Sequence, residues 1–270
     1  DLGLLSHEIR NFIVETVQEN GGHLGSNLGV VELTIALHRV FDSPRDIMLW
    51  DTGHQAYVHK MLTGRLENFK SLRKAGGLSG YPSRAESEHD WIENSHASTA
   101  LSYAFGIATA QASDEGEGRR VLAVIGDGAL TGGMAFEGLN NLGHAGSNAI
   151  IILNDNGRSY APTVSLLSDS LKKLRNNPKY LEQQEKLENK VKSLLPSKEV
   201  MGLSVERAID AAKAAVREIW DPTSFFEDLG LRYNGPFDGH NIEALEKAFR
   251  NAAGFEGPTV IHMLTEKGRG

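Results

Sequence analysis

Short apolar runs alternate with amphipathic segments along this chain. The runs begin near residues 47, 121, 149 and 259, and a further short strand is expected within 230–241. Buried parallel strands carry near-continuous hydrophobic sequences, whereas helices carry apolar residues every three to four positions. The pattern therefore predicts an α/β fold, a doubly wound, mostly parallel sheet with helices on both faces.

Amphipathic segments predict helices at about 4–20, 31–40, 205–220 and 241–253, and an alanine-rich segment predicts one at 99–112. A further helix is expected after Asp127, between the runs at 121–125 and 149–153. Residues 166–199 differ, because Lys and Glu alternate there with spaced Leu and two prolines interrupt the pattern. We expect a charged, mobile lid or surface insertion at 166–199, with a partner-binding helix as the alternative. No linker divides the chain, so 1–270 is predicted to form one domain.

Composition and charge exclude several classes of function. The 270 residues carry a net charge of −7 and no cysteine. No apolar stretch reaches the roughly 18 residues that span a membrane, and the first residues lack the pattern of a signal peptide. The acidic balance argues against a nucleic-acid surface, and the lack of cysteine excludes thiolate metal sites. We expect a cytoplasmic protein that binds neither nucleic acid nor membrane.

Two polar clusters follow neighbouring predicted strands. Gly-Asp-Gly at 126–128 comes directly after the apolar run at 121–125, and Asn-Asp-Asn at 154–156 comes directly after the run at 149–153. The carboxyl ends of parallel strands meet at one edge of the sheet, where open α/β folds bind ligands. A tight strand-to-helix turn is the alternative explanation for the first cluster.

The residue types in these clusters suit a magnesium diphosphate. Mg²⁺ prefers hard oxygen ligands and retains phosphate oxygens in its shell. Asp127 offers a carboxylate, Asn156 a carboxamide oxygen and Arg158 a backbone carbonyl. The glycine at 128 lets the backbone approach a ligand, and the N–H groups from Ala129 onward point towards a negative group. We therefore predict metal ligands at Asp127, Asn156 and Arg158.

The spacing of the clusters resembles the thiamine diphosphate signature, in which the Asp and the last Asn hold Mg²⁺. Longer segments resemble the 1-deoxy-D-xylulose-5-phosphate synthase family, relatives of transketolase. These segments are Gly-Asp-Gly-Ala-Leu-Thr-Gly-Gly-Met at 126–134, Gly-Gly-His-Leu-Gly-Ser-Asn-Leu-Gly at 21–29, Gly-His-Gln-Ala-Tyr at 53–57 and Gly-Pro-Phe-Asp-Gly-His-Asn at 235–241. The resemblance, from residue 21 to 270, implies the thiamine diphosphate-binding fold, with thiamine diphosphate and Mg²⁺ as cofactors.

The resemblance implies catalytic roles for three histidines. His23 would face the reacting carbon for proton transfer, His54 would border the cofactor, and His96 would contact it. From residue type alone, a histidine in the glycine-rich loop at 21–29 is also explained as a structural hydrogen-bonding group. Ser, Thr and His at a helix start, as at 94–99, are also explained as helix caps.

The resemblance further implies a set of cofactor contacts: His54, His96, Ala97, Ser98, Gly128, Ala129 and Asn156. The usual family pattern Gly-x-Gly-His-Ser-Ser-Thr is altered at 94–99, where Ser95 and Ala97 replace a glycine and a serine. Ala97 would therefore contribute only its backbone N–H.

The family's enzymes condense pyruvate with D-glyceraldehyde 3-phosphate, releasing carbon dioxide, and act as homodimers. The resemblance implies a transferase of isoprenoid, thiamine and pyridoxal biosynthesis. It also implies that a pyrimidine-binding domain, which carries an activating Glu, and a C-terminal domain lie outside these 270 residues. The chain would then hold only the diphosphate and magnesium half of the site and be inactive alone.

Two other functions remain open at this point. The amino-terminal subunit of a split transketolase would transfer a ketol group instead of decarboxylating pyruvate. A non-catalytic fragment would fold and bind diphosphate weakly, without turnover.

Overall fold

A five-stranded parallel sheet lies at the centre of the part of the chain that the structure describes. The computed structural model describes residues 1–113, 118–158, 199–200, 203–204 and 224–270. The strands of this sheet are β1 (Ile47–Trp50), β2 (Val121–Gly126), β3 (Ala149–Asp155), β6 (Arg232–Asp238) and β7 (Thr259–Leu264). Their spatial order is β1-β2-β3-β7-β6, and every neighbouring pair is parallel. All the predicted strands are confirmed.

Helices precede and connect these strands. They are α1 (Leu2–Asn20), α2 (Leu24–Leu28), α3 (Val31–Val40), α4 (Tyr57–Lys60), α5 (Ala100–Ser113), α6 (Asp127–Leu130), α7 (Gly133–Ala145), α8 (Ser224–Asp228) and α9 (Ile242–Ala253). A π-helical turn at Met61–Arg65 extends α4, and Glu199–Val200 (β4) pairs with Leu203–Ser204 (β5) as a short antiparallel hairpin. No described helix is long and apolar enough to cross a membrane.

The two faces of the sheet carry separate hydrophobic cores, as expected for a doubly wound fold. Alternate strand residues, such as Ala123 and Val124 of β2, point to opposite faces. Helices α5 and α7 cover the face of Ala123, and α3 and α9 cover the face of Val124. Helix α1 packs outside α3 in a third apolar cluster.

Two predictions fall on residues that the structure does not describe. The charged insertion predicted at 166–199 lies outside the described residues except for Glu199, and the helix predicted at about 205–220 lies entirely outside them. The predicted helices at 4–20, 31–40, 99–112 and 241–253 match α1, α3, α5 and α9 within a few residues.

Candidate active site

A cavity of about 300 Å³ opens at the carboxyl ends of the central strands. Segments that follow β1, β2, β3 and β7 all contribute to its wall, together with the loop before α2. The lining residues include eight that the sequence predicted: His23, His54, Ala97, Asp127, Gly128, Ala129, Asn156 and Arg158. Two predicted residues, His96 and Ser98, do not line it.

Strand pairing explains why Asp127 and Asn156 face the same cavity. Gly126 at the end of β2 lies in register with Asn154 on β3, so the residues that follow leave the sheet side by side. Asp127 is buried and opens α6. The carboxylate and the carboxamide thus reach one cavity from adjacent strands, as the sequence predicted.

The turn after β3 brings the second and third predicted metal ligands together. The Asn156 Oδ1 accepts a hydrogen bond from the Arg158 N–H at 3.0 Å, and the Asp155 Oδ1 accepts one from the Gly157 N–H at 3.0 Å. These bonds fold residues 155–158 into a compact turn. No group of three or more His, Asp or Glu side chains that could hold a metal occurs among the described residues. The predicted ligands are instead one carboxylate, one carboxamide oxygen and one peptide oxygen.

A series of hydrogen bonds between buried side chains supports this turn. The Tyr233 hydroxyl is hydrogen-bonded to His262 Nδ1 at 2.7 Å, and His262 Nε2 is hydrogen-bonded to Asp155 Oδ2 at 3.1 Å. Tyr233 and His262 are fully buried. The orientation of the 155–158 turn is thereby tied to strands β6 and β7.

His23 and His54 form another wall of the cavity. Their ring centroids lie 5.1 Å apart in an edge-to-face arrangement. Burial, reinforced by His23 and Lys267, lowers the pKa of His54 to about 4. Burial also lowers the pKa of His23, with Arg73 and Lys267 as further causes. Both imidazoles are therefore neutral near pH 7, and His54 Nδ1 is buried without a hydrogen-bond partner.

A single buried amide fixes both histidine loops. The Asn27 Nδ2 group donates to the carbonyl oxygens of His23 at 2.7 Å and His54 at 2.8 Å, while its Oδ1 accepts from the Tyr57 N–H at 3.0 Å. Sequence reasoning missed Asn27, because its partner His54 lies 27 positions away along the chain.

Ser98 does not line the cavity, but it is hydrogen-bonded to residues that do. Its hydroxyl donates to the Ala129 carbonyl at 2.6 Å, and its N–H donates to the Asp51 Oδ1 at 2.9 Å. Asp51 also accepts from the Ala100 N–H at 3.0 Å, so it caps α5; burial raises the pKa of its carboxyl despite these N–H donors. The side chain of His96 is exposed.

Seven lining residues were not predicted as site residues, among them Gln55, Asn154 and Lys267. Asn154 donates to Gln55 Oε1 at 3.1 Å and accepts from the Thr265 hydroxyl, which ties β3 to the segment after β7. That segment also brings Lys267 to the cavity. The only sequence signal for Lys267 was its place in the Lys-Gly-Arg-Gly run that follows the last strand.

Known proteins resemble this chain in sequence or in fold. A family model described as 1-deoxy-D-xylulose-5-phosphate synthase matches residues 1–265. The chain belongs to this family. It is 56% identical over 271 residues to the 1-deoxy-D-xylulose-5-phosphate synthase of Nocardia farcinica and 54% identical over 270 residues to that of Frankia casuarinae. The chain corresponds to the amino-terminal part of the family's proteins and spans 42% and 40% of these two relatives.

Solved structures confirm the fold. The transketolase of Leishmania mexicana matches 98% of this chain with a TM-score of 0.68 at 18% sequence identity, over 36% of its own length. The transketolase of Campylobacter jejuni matches 96% of this chain with a TM-score of 0.61 at 20% identity, over 37% of its own length. The α/β architecture predicted from the sequence is therefore that of transketolase.

Proposed function

We propose that this chain is the thiamine diphosphate- and Mg²⁺-binding domain of a 1-deoxy-D-xylulose-5-phosphate synthase. The whole enzyme would condense pyruvate with D-glyceraldehyde 3-phosphate, release carbon dioxide and supply isoprenoid, thiamine and pyridoxal synthesis. The observation that carries this proposal is the cavity into which β2 and β3 bring Asp127 and Asn156 and which His23 and His54 also line. Family membership supports the proposed reaction, and the cavity supports the proposed contribution of this chain to it.

The donor set of the cavity fits a magnesium diphosphate. Asp127, Asn156 and the Arg158 carbonyl would hold Mg²⁺, which favours a small set of protein oxygens completed by phosphate oxygens and water. The cationic side chains of Arg158 and Lys267 also line this cavity and would offset the negative charge of the diphosphate.

Backbone groups would bind the rest of the diphosphate. Gly128 and Ala129 line the cavity at the start of α6, and the Ser98 hydroxyl donates a hydrogen bond to the Ala129 carbonyl. Ala97 lines the cavity between exposed His96 and buried Ser98, and its N–H would be the contact. We retain His96 and Ser98 in the proposed cofactor-binding set. Ser98 would act indirectly, through its hydrogen bond to the Ala129 carbonyl.

The histidines of the cavity wall, His23 and His54, would serve in proton transfer. The bound cofactor supplies an electron sink at its thiazolium ring. Neutral His54 lines the cavity and would border the cofactor there. Neutral His23, edge-on to His54, would accept or donate a proton at the reacting centre, where an imidazole suits near-neutral pH.

The remaining proposals concern the whole protein. Residues that activate the aminopyrimidine ring and bind the aldehyde phosphate would come from domains beyond this one. The enzyme would be a cytoplasmic homodimer.

Product analysis of the full-length protein tests this function. With thiamine diphosphate and Mg²⁺, we expect carbon dioxide release from labelled pyruvate that requires D-glyceraldehyde 3-phosphate, and formation of 1-deoxy-D-xylulose 5-phosphate. Ketol transfer between sugar phosphates without carbon dioxide release would contradict the synthase and establish the split transketolase. Absence of both reactions would contradict the proposal in favour of a non-catalytic binding protein.

A further inference from the structure

A cluster of buried charges lies outside the cavity described above. Lys60 of α4 and Arg65 of the π-helical turn face two carboxylates, Glu86 and Asp90, of the loop that precedes α5. Lys60 and Asp90 have no exposed side-chain surface, and Arg65 and Glu86 are 6% and 16% exposed. Buried charges of this kind are costly unless they are paired, so each carboxylate needs its cation.

Close hydrogen bonds reinforce the two ion pairs. Arg65 contacts both carboxylate oxygens of Asp90, at 2.5 and 3.0 Å, and the ammonium of Lys60 pairs with Glu86 Oε2. His59 adds a hydrogen bond to Asp90 Oδ1 at 3.1 Å, and His38 is hydrogen-bonded to His59 at 2.9 Å. We call the pairs Lys60–Glu86 and Arg65–Asp90 the ionic clip.

The same carboxylates hold one short turn from both sides. Glu86 Oε1 accepts the Ser79 N–H at 2.6 Å, and Asp90 Oδ2 accepts the Ser83 N–H at 2.7 Å. Residues 80–82 lie between these two fixed points. The ionic clip therefore holds both the start and the end of the 80–82 turn against α4.

The 80–82 turn packs directly on the histidine wall. A Cβ atom added to Gly53, the residue before His54, would lie 2.6 Å from Pro82 Cδ, so the two segments are in close contact. The Tyr81 ring lies edge-on to the His23 ring, with centroids 6.4 Å apart. A shift of the turn would therefore remove support from both histidine loops.

We infer that Lys60, Arg65, Glu86 and Asp90 are positioning residues, which fix the His23 and His54 wall of the cavity through the 80–82 turn. Their importance for catalysis rests on the proposed function, whereas their effect on the histidines does not. The ionic clip acts at a distance, because none of its four residues lines the cavity.

The test measures how fast diethyl pyrocarbonate modifies His23 and His54 in the full-length protein without cofactor, by peptide mass spectrometry. Neutral imidazoles react, so the rate reports access to the ring. Lys60→Met/Glu86→Gln removes both charges of one pair without leaving a buried charge unpaired. We expect the His54 rate to rise at least about threefold, because the loop opens locally more often, and hydrogen exchange at 79–83 to rise with it.

Glu86→Gln alone leaves Lys60 buried without its counter-charge and should lower the melting temperature more than the double variant does. The matched control is Glu246→Gln on α9. It removes the charge of a similarly buried carboxylate, which pairs with Arg39 of α3 and Arg250 of α9. The control should lose stability but leave the His54 rate unchanged.

Three results would overturn the inference. They are a parental His54 rate in the double variant, unchanged exchange at 79–83, or an equal rise of the His54 rate in the Glu246→Gln control. These measurements need no thiamine diphosphate. Their outcome therefore does not depend on whether the proposed function is correct. In the active enzyme the double variant should lower kcat more than it raises KM, because it disturbs the proton-handling wall more than substrate binding.

Discussion

His23 and His54 meet edge to face, with ring centroids 5.1 Å apart, although they come from different loops 31 positions apart in the sequence. Asn27 holds both loops through their carbonyl oxygens. The pair forms one wall of the cavity that contains Asp127 and Asn156. Two neutral imidazoles thus line the same cavity as the predicted metal ligands.

Stability should fall as the pH drops from about 6.5 towards 4. The pKa of His54 is about 4 in the folded chain and near 6.5 when unfolded, so between these values the unfolded state binds the extra proton. The expected slope is at most about 1.4 kcal/mol per pH unit for one such group. Urea unfolding from pH 4.5 to 7.5 should show a shallower dependence in His54→Gln than in the parent. Identical slopes would contradict the buried, neutral His54.

Removing the charge of Lys267 should raise the pKa of both histidines. The ammonium disfavours a second positive charge nearby and is a cause of the lowered pKa of His23 and of His54. NMR titration of the imidazole protons in Lys267→Met should show both pKa values moving up. Lys247→Met, which removes an exposed lysine from α9, is the control and should leave them in place. An unshifted pair in Lys267→Met would place Lys267 away from the cavity.

Gly132 and Gly133 offer a matched pair of substitutions. A Cβ at Gly132 would lie 2.1 Å from the Ser98 hydroxyl oxygen, whereas nothing lies within 4 Å of one at Gly133. Gly132→Ala should push Ser98 off the Ala129 carbonyl and destabilise the protein by about 1–3 kcal/mol. Gly133→Ala, within α7, should be neutral or stabilising by up to about 1 kcal/mol. Equal unfolding free energies for the two variants would refute this contact.

The Tyr233–His262–Asp155 chain should stabilise the turn at 155–158. His262→Phe removes the link to Asp155 and leaves its buried carboxylate with one hydrogen bond fewer, at a cost of about 1–3 kcal/mol. Tyr233→Phe removes only the outer hydroxyl of this chain and should cost less. Hydrogen exchange of the 155–158 amides should rise more in His262→Phe. The reverse order would show that the chain does not support this turn.

The sheet and the meeting of the two polar clusters followed from the sequence alone. Apolar runs such as 149–153 are too short for buried helices, and adjacent parallel strands must deliver the residues after them to one edge. This is why the sequence could predict, without any knowledge of side-chain contacts, that Asp127 and Asn156 reach one cavity.

The supporting contacts did not follow from the sequence. Asn27 ties two loops, and Lys267 reaches the cavity from the far end of the chain, so their roles depend on long-range packing that no local pattern reveals. The helix expected after Asp127 is divided into α6 and α7. Gly132 lies against Ser98 at this break, a tertiary contact that overrides local helix preference.

Calorimetric titration of the full-length protein with thiamine diphosphate tests whether Asp127 helps to hold the metal of the cofactor. We expect tight binding with Mg²⁺, weak binding with a chelator, and at least about a 100-fold loss of affinity in Asp127→Asn, since even outer-shell partners of a metal cost 10–100-fold. Asp238→Asn, which alters an exposed aspartate at the end of β6 outside the cavity, should bind like the parent. Parental affinity in Asp127→Asn, or binding that does not depend on Mg²⁺, would contradict the account.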